Sequence, residues 1–240
     1  MNALQITLRS ENPLSLPLAY NYLVQGALYA AWRVAFPQLH DEGFSDGEKA
    51  FRMFVFSPLE GAYRIREKTI SFTGPVRLEV RSPVPALPEA LAEYLQREGT
   101  MRLGWQTLPV ASLDCRDRLL FPEVADIVMR SPLTLHETLP DGHTHYFTPT
   151  DEAFPLYLAK NLAAKLAAAE QALEPALGFT PYERTIRKRV TSFKGIWING
   201  YTGRFHIECA PETMAFLYYS GLGAGNSQGF GMFDIETQMF

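Results

Sequence analysis

The stretch SGLGAGNSQGFGMF, residues 220–233, holds Gly221, Gly223, Gly225, Gly229 and Gly231 within eleven positions. Ordered glycine costs backbone entropy, so this density implies unusual dihedrals or a close approach to something. Its amide groups have little side-chain cover and suit contact with a phosphate backbone or with another strand. Upstream, Arg184 to Ile207 contains no Asp or Glu but does contain Arg184, Arg187, Lys188, Arg189, Lys194 and Arg204. A solvated strand face and an anion-binding surface both fit that pattern. A third feature is His40, in a polar loop between Leu39 and Asp41, where core packing does not ask for an imidazole. Imidazole ionises near pH ~6.5 and suits acid or base work.

Several chemistries are disfavoured. Glycine-rich loops of the dinucleotide-binding and P-loop kinds follow a first strand and open a helix. Here the expected order is helix, glycines, final strand, and no Gly-Lys-Ser/Thr occurs. His143 and His145 are two apart at an expected hairpin tip, but no cysteine or acidic cluster with ligand spacing accompanies them, so neither metal nor cofactor is expected. His136 reads as structural. His206 alternates with Phe205 and Ile207 inside the basic stretch. Cys115 and Cys209 lie far apart and suit ordinary reduced thiols, hence a cytoplasmic protein. The first residues show no basic region followed by an apolar block, so no secretory leader is expected, and no apolar run suggests a membrane partner. A net charge of −4 argues against indiscriminate coating of nucleic acid but allows a local basic patch.

The positioning elements follow from periodicity. The 240 residues, 47% hydrophobic, suffice for one large core or two small ones. Leu4, Ile6 and Leu8 share one face of a strand over 3–10. A helix is expected from about Leu18 to Phe36, with Leu28 and Trp32 towards the core and Tyr22, Gln25, Tyr29 and Arg33 on a more polar face. A strand over 51–59 and one or two short strands follow. Pro85 and Pro88 open a helix with Leu87, Leu91 and Leu95 in register and Gly99 as its stop, and a strand returns. The second half repeats this order. A strand leads to a hairpin tip at Asp141-Gly142. A helix follows, capped by Thr150 or Asp151, with Leu158, Leu162, Leu166 and Leu173 on one stripe. Two strands come next, joined by a turn containing Asn199-Gly200 and Gly203. A helix from Pro211 then leads into the glycines and the last strand. The chain therefore reads as α+β, two tandem ferredoxin-like βαββαβ domains, 1–120 and 121–240, divided near Leu119 to Val124.

The ending GLGAGNSQGFGMF, after a helix and before a terminal strand, resembles the C-terminal glycine-rich motif of the CRISPR-associated RAMP superfamily. Within it the chain is most similar to the Cas6 family of endoribonucleases that process CRISPR precursor RNA. LPLAYNYLVQGALYAAW is similar to that family's first helix, and LHDEGF with FRMFVFSPL resembles its next loop and strand. SPLTLHE resembles the opening of its second domain, and RTIRKRVTSFKG its basic strand. The resemblance implies two ferredoxin-like domains and metal-independent cleavage. The ribose 2′-OH attacks the adjacent phosphate, leaving a 2′,3′-cyclic phosphate and a 5′-OH. Such chemistry needs a base, an acid and positive charge on the phosphate. By the same resemblance the catalytic positions are His40, Tyr29 and Arg52. Some relatives carry lysine where this chain has Arg52, which stays protonated and cannot act as a base. Lys49, three residues earlier, could share its charge role.

On this reading Arg184, Arg187, Lys188, Arg189, Lys194 and Arg204 grip the repeat stem, since duplex RNA is read mostly through backbone and shape. The segment with Gly221, Gly223, Gly225, Asn226, Ser227, Gly229 and Gly231 packs against RNA or against the cleft between the domains. The implied partners are CRISPR repeat RNA, other CRISPR effector subunits and a second copy of the chain. Two alternatives stand beside the nuclease. One is a non-catalytic RAMP subunit that holds the RNA of an effector complex. The other is a small-molecule-binding pair of ferredoxin-like domains, which leaves the basic stretch and the glycines unexplained.

Overall fold

The computed structural model describes residues 1–9, 12–39, 41–45, 47 and 49–236. His40 lies outside the described residues.

The first half comprises β1 (Ala3–Leu8), β2 (Leu14–Pro17), α1 (Asn21–Trp32), β3 (Phe44–Ser45), β4 (Ala50–Phe51), β5 (Val55–Phe56), β6 (Glu60–Arg66), β7 (Thr69–Arg81), α2 (Ala86–Glu98), β8 (Thr100–Leu103) and β9 (Gln106–Cys115). The second comprises β10 (Val124–Met129), β11 (His136–Thr138), β12 (Thr144–Tyr146), α3 (Phe154–Ala168), β13 (Gly178–Pro181), β14 (Arg187–Phe193), β15 (Ile196–Thr202), β16 (Arg204–Glu208), α4 (Pro211–Ser220) and β17 (Phe233–Ile235).

Each half is a ferredoxin-like antiparallel sheet backed by two helices. In the first, β7 pairs with β1 and β2 along one edge and with β5 and β6 along the other, and β9 and β8 extend the sheet beyond β1. In the second the order is β13-β16-β10-β17. The period-2 pattern of β1 puts Leu4, Ile6 and Leu8 into the core with Val24, Leu28 and Trp32 of α1 and Leu87, Leu91 and Leu95 of α2. Burying each such side chain stabilises by about 1.5–3 kcal/mol. Trp32 Nε1 also donates to Leu87 O at 2.7 Å, tying the two helices together. The second core gathers Ala125, Ile127 and Met129 of β10, Phe154, Leu158, Leu162 and Leu166 of α3, and Met214 and Leu217 of α4. No helix among the described residues is long and apolar enough to cross a membrane.

The two units share an ion network. Arg81 at the end of β7 is 1% exposed; its Nε donates to Glu79 at 2.6 Å, and its two terminal nitrogens donate to Phe233 O at 2.7 Å and Asp234 at 2.8 Å. Arg130 after β10 donates to Glu79 and Glu60, each at 2.5 Å. Burial works to raise the pKa of Glu79, but Arg81 and Arg130 outweigh it and hold the carboxyl below its usual range.

Four local expectations change. The strand expected over 51–59 is two short pieces, β4 and β5, separated at Met53. Its backbone is left-handed (φ 50°), and its side chain is buried in the second unit's core while Phe54 and Phe56 enter the first. Helix α3 ends at Ala168, so Leu173 is off the stripe and packs on the core from the following coil. Neither Thr150 nor Asp151 caps that helix: Ala153 holds the N-cap, and the Asp151 carboxylate accepts from Thr148 N at 2.7 Å instead. Asn199-Gly200 is not a turn. The basic strand β14 pairs with β15 through a tight turn at Lys194-Gly195, both left-handed (φ 49° and 85°), and Asn199 and Gly200 lie within β15.

Candidate RNA-processing cleft

A cleft of about 700 Å³ opens where α1, the segment 49–54, β11, α3, the β14–β15 turn and the glycine segment meet. Its position follows from a polar edge on α1. Asn21, Gln25 and Tyr29 recur every four residues and so share one helical face. Asn21 Nδ2 donates to Gln228 O at 2.9 Å, and Gln25 Nε2 donates to Ser227 O at 2.8 Å. The Tyr29 hydroxyl bonds to the Ser227 side chain and to the Arg52 guanidinium. One face of a first-unit helix thus carries the tip of a second-unit loop. The Tyr29 ring is fixed edge-on against Trp32 (6.4 Å between centroids) and Phe54 (5.8 Å). Burial pushes its phenol above the usual range, against the opposing pull of Arg52.

The glycines explain how the loop fits. Gly221, Gly223, Gly225, Gly229 and Gly231 all have positive φ. Gly221 (φ 86°, ψ 153°) occupies a region that is essentially glycine-only. A Cβ on Gly223 would lie 2.5 Å from Thr134 O, and one on Gly229 would lie 2.6 Å from Asn21 Nδ2 and 2.7 Å from Phe56. One on Gly231 would fall on Leu222 O, far inside contact distance. Leu222 N donates to Gly231 O at 2.8 Å, Gly231 N to Pro132 O at 2.9 Å and Ala224 N to Thr134 O at 2.8 Å. Asn226 Nδ2 donates to both Leu222 O and Phe230 O. The close approach made by Gly221, Gly223, Gly229 and Gly231 is therefore to the protein itself. Gly225, Asn226 and Ser227 are the members that line the cleft.

Arg52 follows β4 and spans two parts of the wall. Besides reaching Tyr29, its terminal nitrogens donate to Glu42 O at 3.4 Å and Asp41 O at 3.2 Å. It therefore holds the segment immediately after position 40. Gly43 (φ 62°) makes room for it, because a Cβ there would collide with the guanidinium.

The charge around the cleft is one-sided. Lys49, Arg52, Lys165, Lys194 and His136 line it, and no carboxylate does among the described residues. Partial desolvation in the cleft, followed by the Lys49 ammonium, holds His136 below the ordinary imidazole value, leaving a neutral imidazole near pH 7. Among the described residues, no group of three His, Cys, Asp or Glu is arranged to hold a metal ion.

The other expected residues distribute unevenly. Arg184, in a short 3-10 turn before β14, and Lys188 and Arg189, on opposite faces of β14, are exposed, and Arg187 is exposed too but donates to Arg184 O and Ile186 O, each at 2.9 Å. Lys194 reaches the cleft from the hairpin turn. Arg204 stands apart on the open side of the second sheet, paired with Glu236 and 5.5 Å from the Tyr182 ring. His206 is on that side as well, held between Asp126 (2.8 Å) and Glu208 (3.2 Å); the Asp126 hydrogen bond raises its pKa most. His143 and His145 sit at the β11–β12 hairpin, where His143 meets Asp141 at 3.2 Å. Sequence reasoning missed Lys165, His136 and Asn21. Lys165 occupies the core stripe of α3, where a basic residue is itself the signal. His136 enters the cleft from the first position of β11.

Residues 120–235 match the family model described as "CRISPR associated protein Cas6, C-terminal". The chain carries the C-terminal domain of the Cas6 family. No curated protein matches the sequence. The fold extends the likeness to both units. A Cas6-related protein from Pyrococcus furiosus superposes with a TM-score of 0.85 at 18% identity, covering 99% of each chain. A structure described as CRISPR associated protein Cas6 gives 0.79 at 23% identity, over 98% of this chain and 99% of that one. A structure described as a RAMP protein binding different RNA substrates gives 0.83 at 18% identity, over 99% of this chain and all of the other. The glycine motif, within the part that matches the Cas6 C-terminal model, is thus a joint between units: it is built on the second and seated on the polar edge of the first.

Proposed function

We propose that this chain is a metal-independent endoribonuclease that binds CRISPR repeat RNA and cleaves the precursor transcript. The observation that carries the reading is the cleft: Lys49, Arg52, Lys194 and His136 line it without a carboxylate among the described residues, and Tyr29 stands fixed at its wall. Such a site attracts a sugar-phosphate chain and supplies hydroxyl and imidazole groups to it. The RNA binding attributed to one of the structural neighbours supports the same reading.

In the proposed reaction the ribose 2′-oxygen attacks the adjacent phosphorus as a base removes its proton. The bond from phosphorus to the 5′-oxygen breaks, and an acid protonates that oxygen. The products are a 2′,3′-cyclic phosphate and a 5′-OH. His40 takes the proton-transfer role by family position, and Tyr29 orients the 2′-OH or a phosphate oxygen. Arg52 is given no proton-transfer role. Its role is to place the segment after position 40 and to lend charge to the phosphate, with Lys49 and Lys194 adding to it. Lys188, Arg189 and Arg184 extend the basic surface along the hairpin for the repeat stem, where they set affinity and its salt dependence.

The test is cleavage of a repeat RNA from the host's CRISPR array in EDTA, by the wild type and by His40→Ala, with a second substrate carrying a 2′-deoxy sugar at the cut. Cutting that survives EDTA and disappears with either change is the expected result. Tight binding by the wild type with no cutting would leave a non-catalytic RAMP-type subunit that holds RNA within an effector complex.

A further inference from the structure

Lys165 is out of place by the ordinary rules of burial. It lies on the core stripe of α3 between Leu162 and Leu166, and it is 2% exposed. A buried ammonium is normally paired with a carboxylate. Among the described residues this one has no ion pair, and its single hydrogen bond runs from Nζ to Gly221 O at 2.8 Å. An ammonium has three donors, so two are unspent. The side chain also lines the cleft, one helical turn after Asn161, which lines it too. The titratable groups that share the cleft with it are Tyr29, Lys49, Arg52, His136 and Lys194, and none of these supplies a negative charge at neutral pH.

We propose that Lys165 is the floor of an anion subsite in which its ammonium takes a phosphodiester oxygen of RNA bound in the cleft. This rests on the RNA-binding reading above. The anion supplies the counter-charge that the protein lacks, while the bond to Gly221 O keeps the ammonium aimed beside the glycine segment. Gly221 is held in a backbone conformation that other residues avoid, so Lys165 also braces the start of the loop whose tip sits on α1. Without an anion, burial alone pushes its pKa down to about 7. Phosphate binding must raise that value, so binding is coupled to uptake of a proton. Affinity is then greatest below about pH 7 and weakens as pH rises towards the bound-state pKa, by about fivefold between pH 7 and 8.

The experiment is calorimetric titration of the full chain at about pH 8, in two buffers of different ionisation enthalpy. The probe is repeat RNA with a 2′-deoxy sugar at the cut, and inorganic phosphate serves as a second probe. A group with a free pKa near 7 is roughly one-tenth protonated at pH 8, so the wild type is expected to take up nearly one proton per RNA. Lys165→Met is expected to abolish the uptake and flatten the pH dependence. Lys165→Arg, whose charge does not titrate, is expected to bind RNA at pH 8.5 at least as tightly as the wild type, without uptake; it also serves if the methionine variant does not fold. RNA binding by the wild type with no proton uptake, or unchanged uptake in the Lys165 variants, overturns the subsite and leaves the proposed function standing. Uptake with inorganic phosphate but not with RNA overturns it as well. Failure of the wild type to bind repeat RNA at all overturns both.

Discussion

Two alanine substitutions in one loop separate packing within the protein from contact with a ligand. Gly225 and Gly231 both have left-handed backbones (φ 68° and 78°), so alanine at either costs about 1 kcal/mol from backbone conformation alone. Their surroundings differ. The nearest atom to a Cβ on Gly225 is Phe230 Cδ2 at 3.3 Å, on a side chain that can give way. A Cβ on Gly231 would fall on the Leu222 carbonyl oxygen, which is backbone and accepts from Asn226. Relieving that overlap parts Leu222 from Gly231 and puts two hydrogen bonds at risk, about 1 kcal/mol each. Overpacking adds about 1–3 kcal/mol, so Gly231→Ala is expected to cost roughly 4–6 kcal/mol in all. For a chain of this size that corresponds to a fall in melting temperature of roughly 8–24 °C, against about 2–4 °C for Gly225→Ala. Thermal unfolding without RNA, followed by circular dichroism, reads both. Equal shifts for the two variants, or a Gly231→Ala protein as stable as the wild type, would refute the account of the glycines as protein-facing.

Other outcomes follow from the same geometry. Glu79→Gln leaves Arg81 and Arg130 short of a carboxylate, and breaking such a buried arrangement is expected to cost about 3–5 kcal/mol in urea denaturation. Because the folded-state pKa of Glu79 is depressed, its contribution is complete above the ordinary carboxylate pKa and is lost as pH falls through the lower folded value. The wild type should therefore lose stability on acidification more steeply than Glu79→Gln. Tyr29→Phe keeps the ring contacts but loses the bonds to Ser227 and Arg52; it should melt within a few degrees of the wild type while cleavage slows by roughly 10–100-fold. With a thiol reagent at about pH 8, exposed Cys115 should react first. Cys209 should lag, since burial pushes its pKa up to about 11.

The fold was legible because its signals are local and repeated. The alternation in β1, the leucine register of α2 and the proline that opens α4 each fix an element without reference to the rest. The errors fell where tertiary contacts override local pattern. Met53 breaks an apolar run that looks like one strand because its side chain is claimed by the other unit's core. Asn199-Gly200 has the composition of a turn, yet Gly200 is needed inside β15, where a Cβ would lie 2.8 Å from Pro132. The site was half legible for the same reason. Gln25 and Tyr29 share a face by simple periodicity, but the object of that face, the carbonyls of Ser227 and Gln228, lies some two hundred residues away in sequence.

That long-range joint bears on how the cleft works. Its polar wall is α1, its rim is the glycine loop, and three consecutive helical turns of α1 hold that rim through Asn21, Gln25 and Tyr29. Any rotation of one unit against the other must break these bonds or carry Tyr29 with the loop. The Glu79–Arg81–Arg130 network opposes such rotation, because its charges come from β7, from the residue after β10 and, through Asp234, from β17. The two joints together hold Tyr29 and the Ser227 tip in fixed register, a geometric condition for in-line attack on a phosphate. On the proposed function the flexible partner in that geometry is the RNA, which the one-sided charge of the cleft would draw towards the wall.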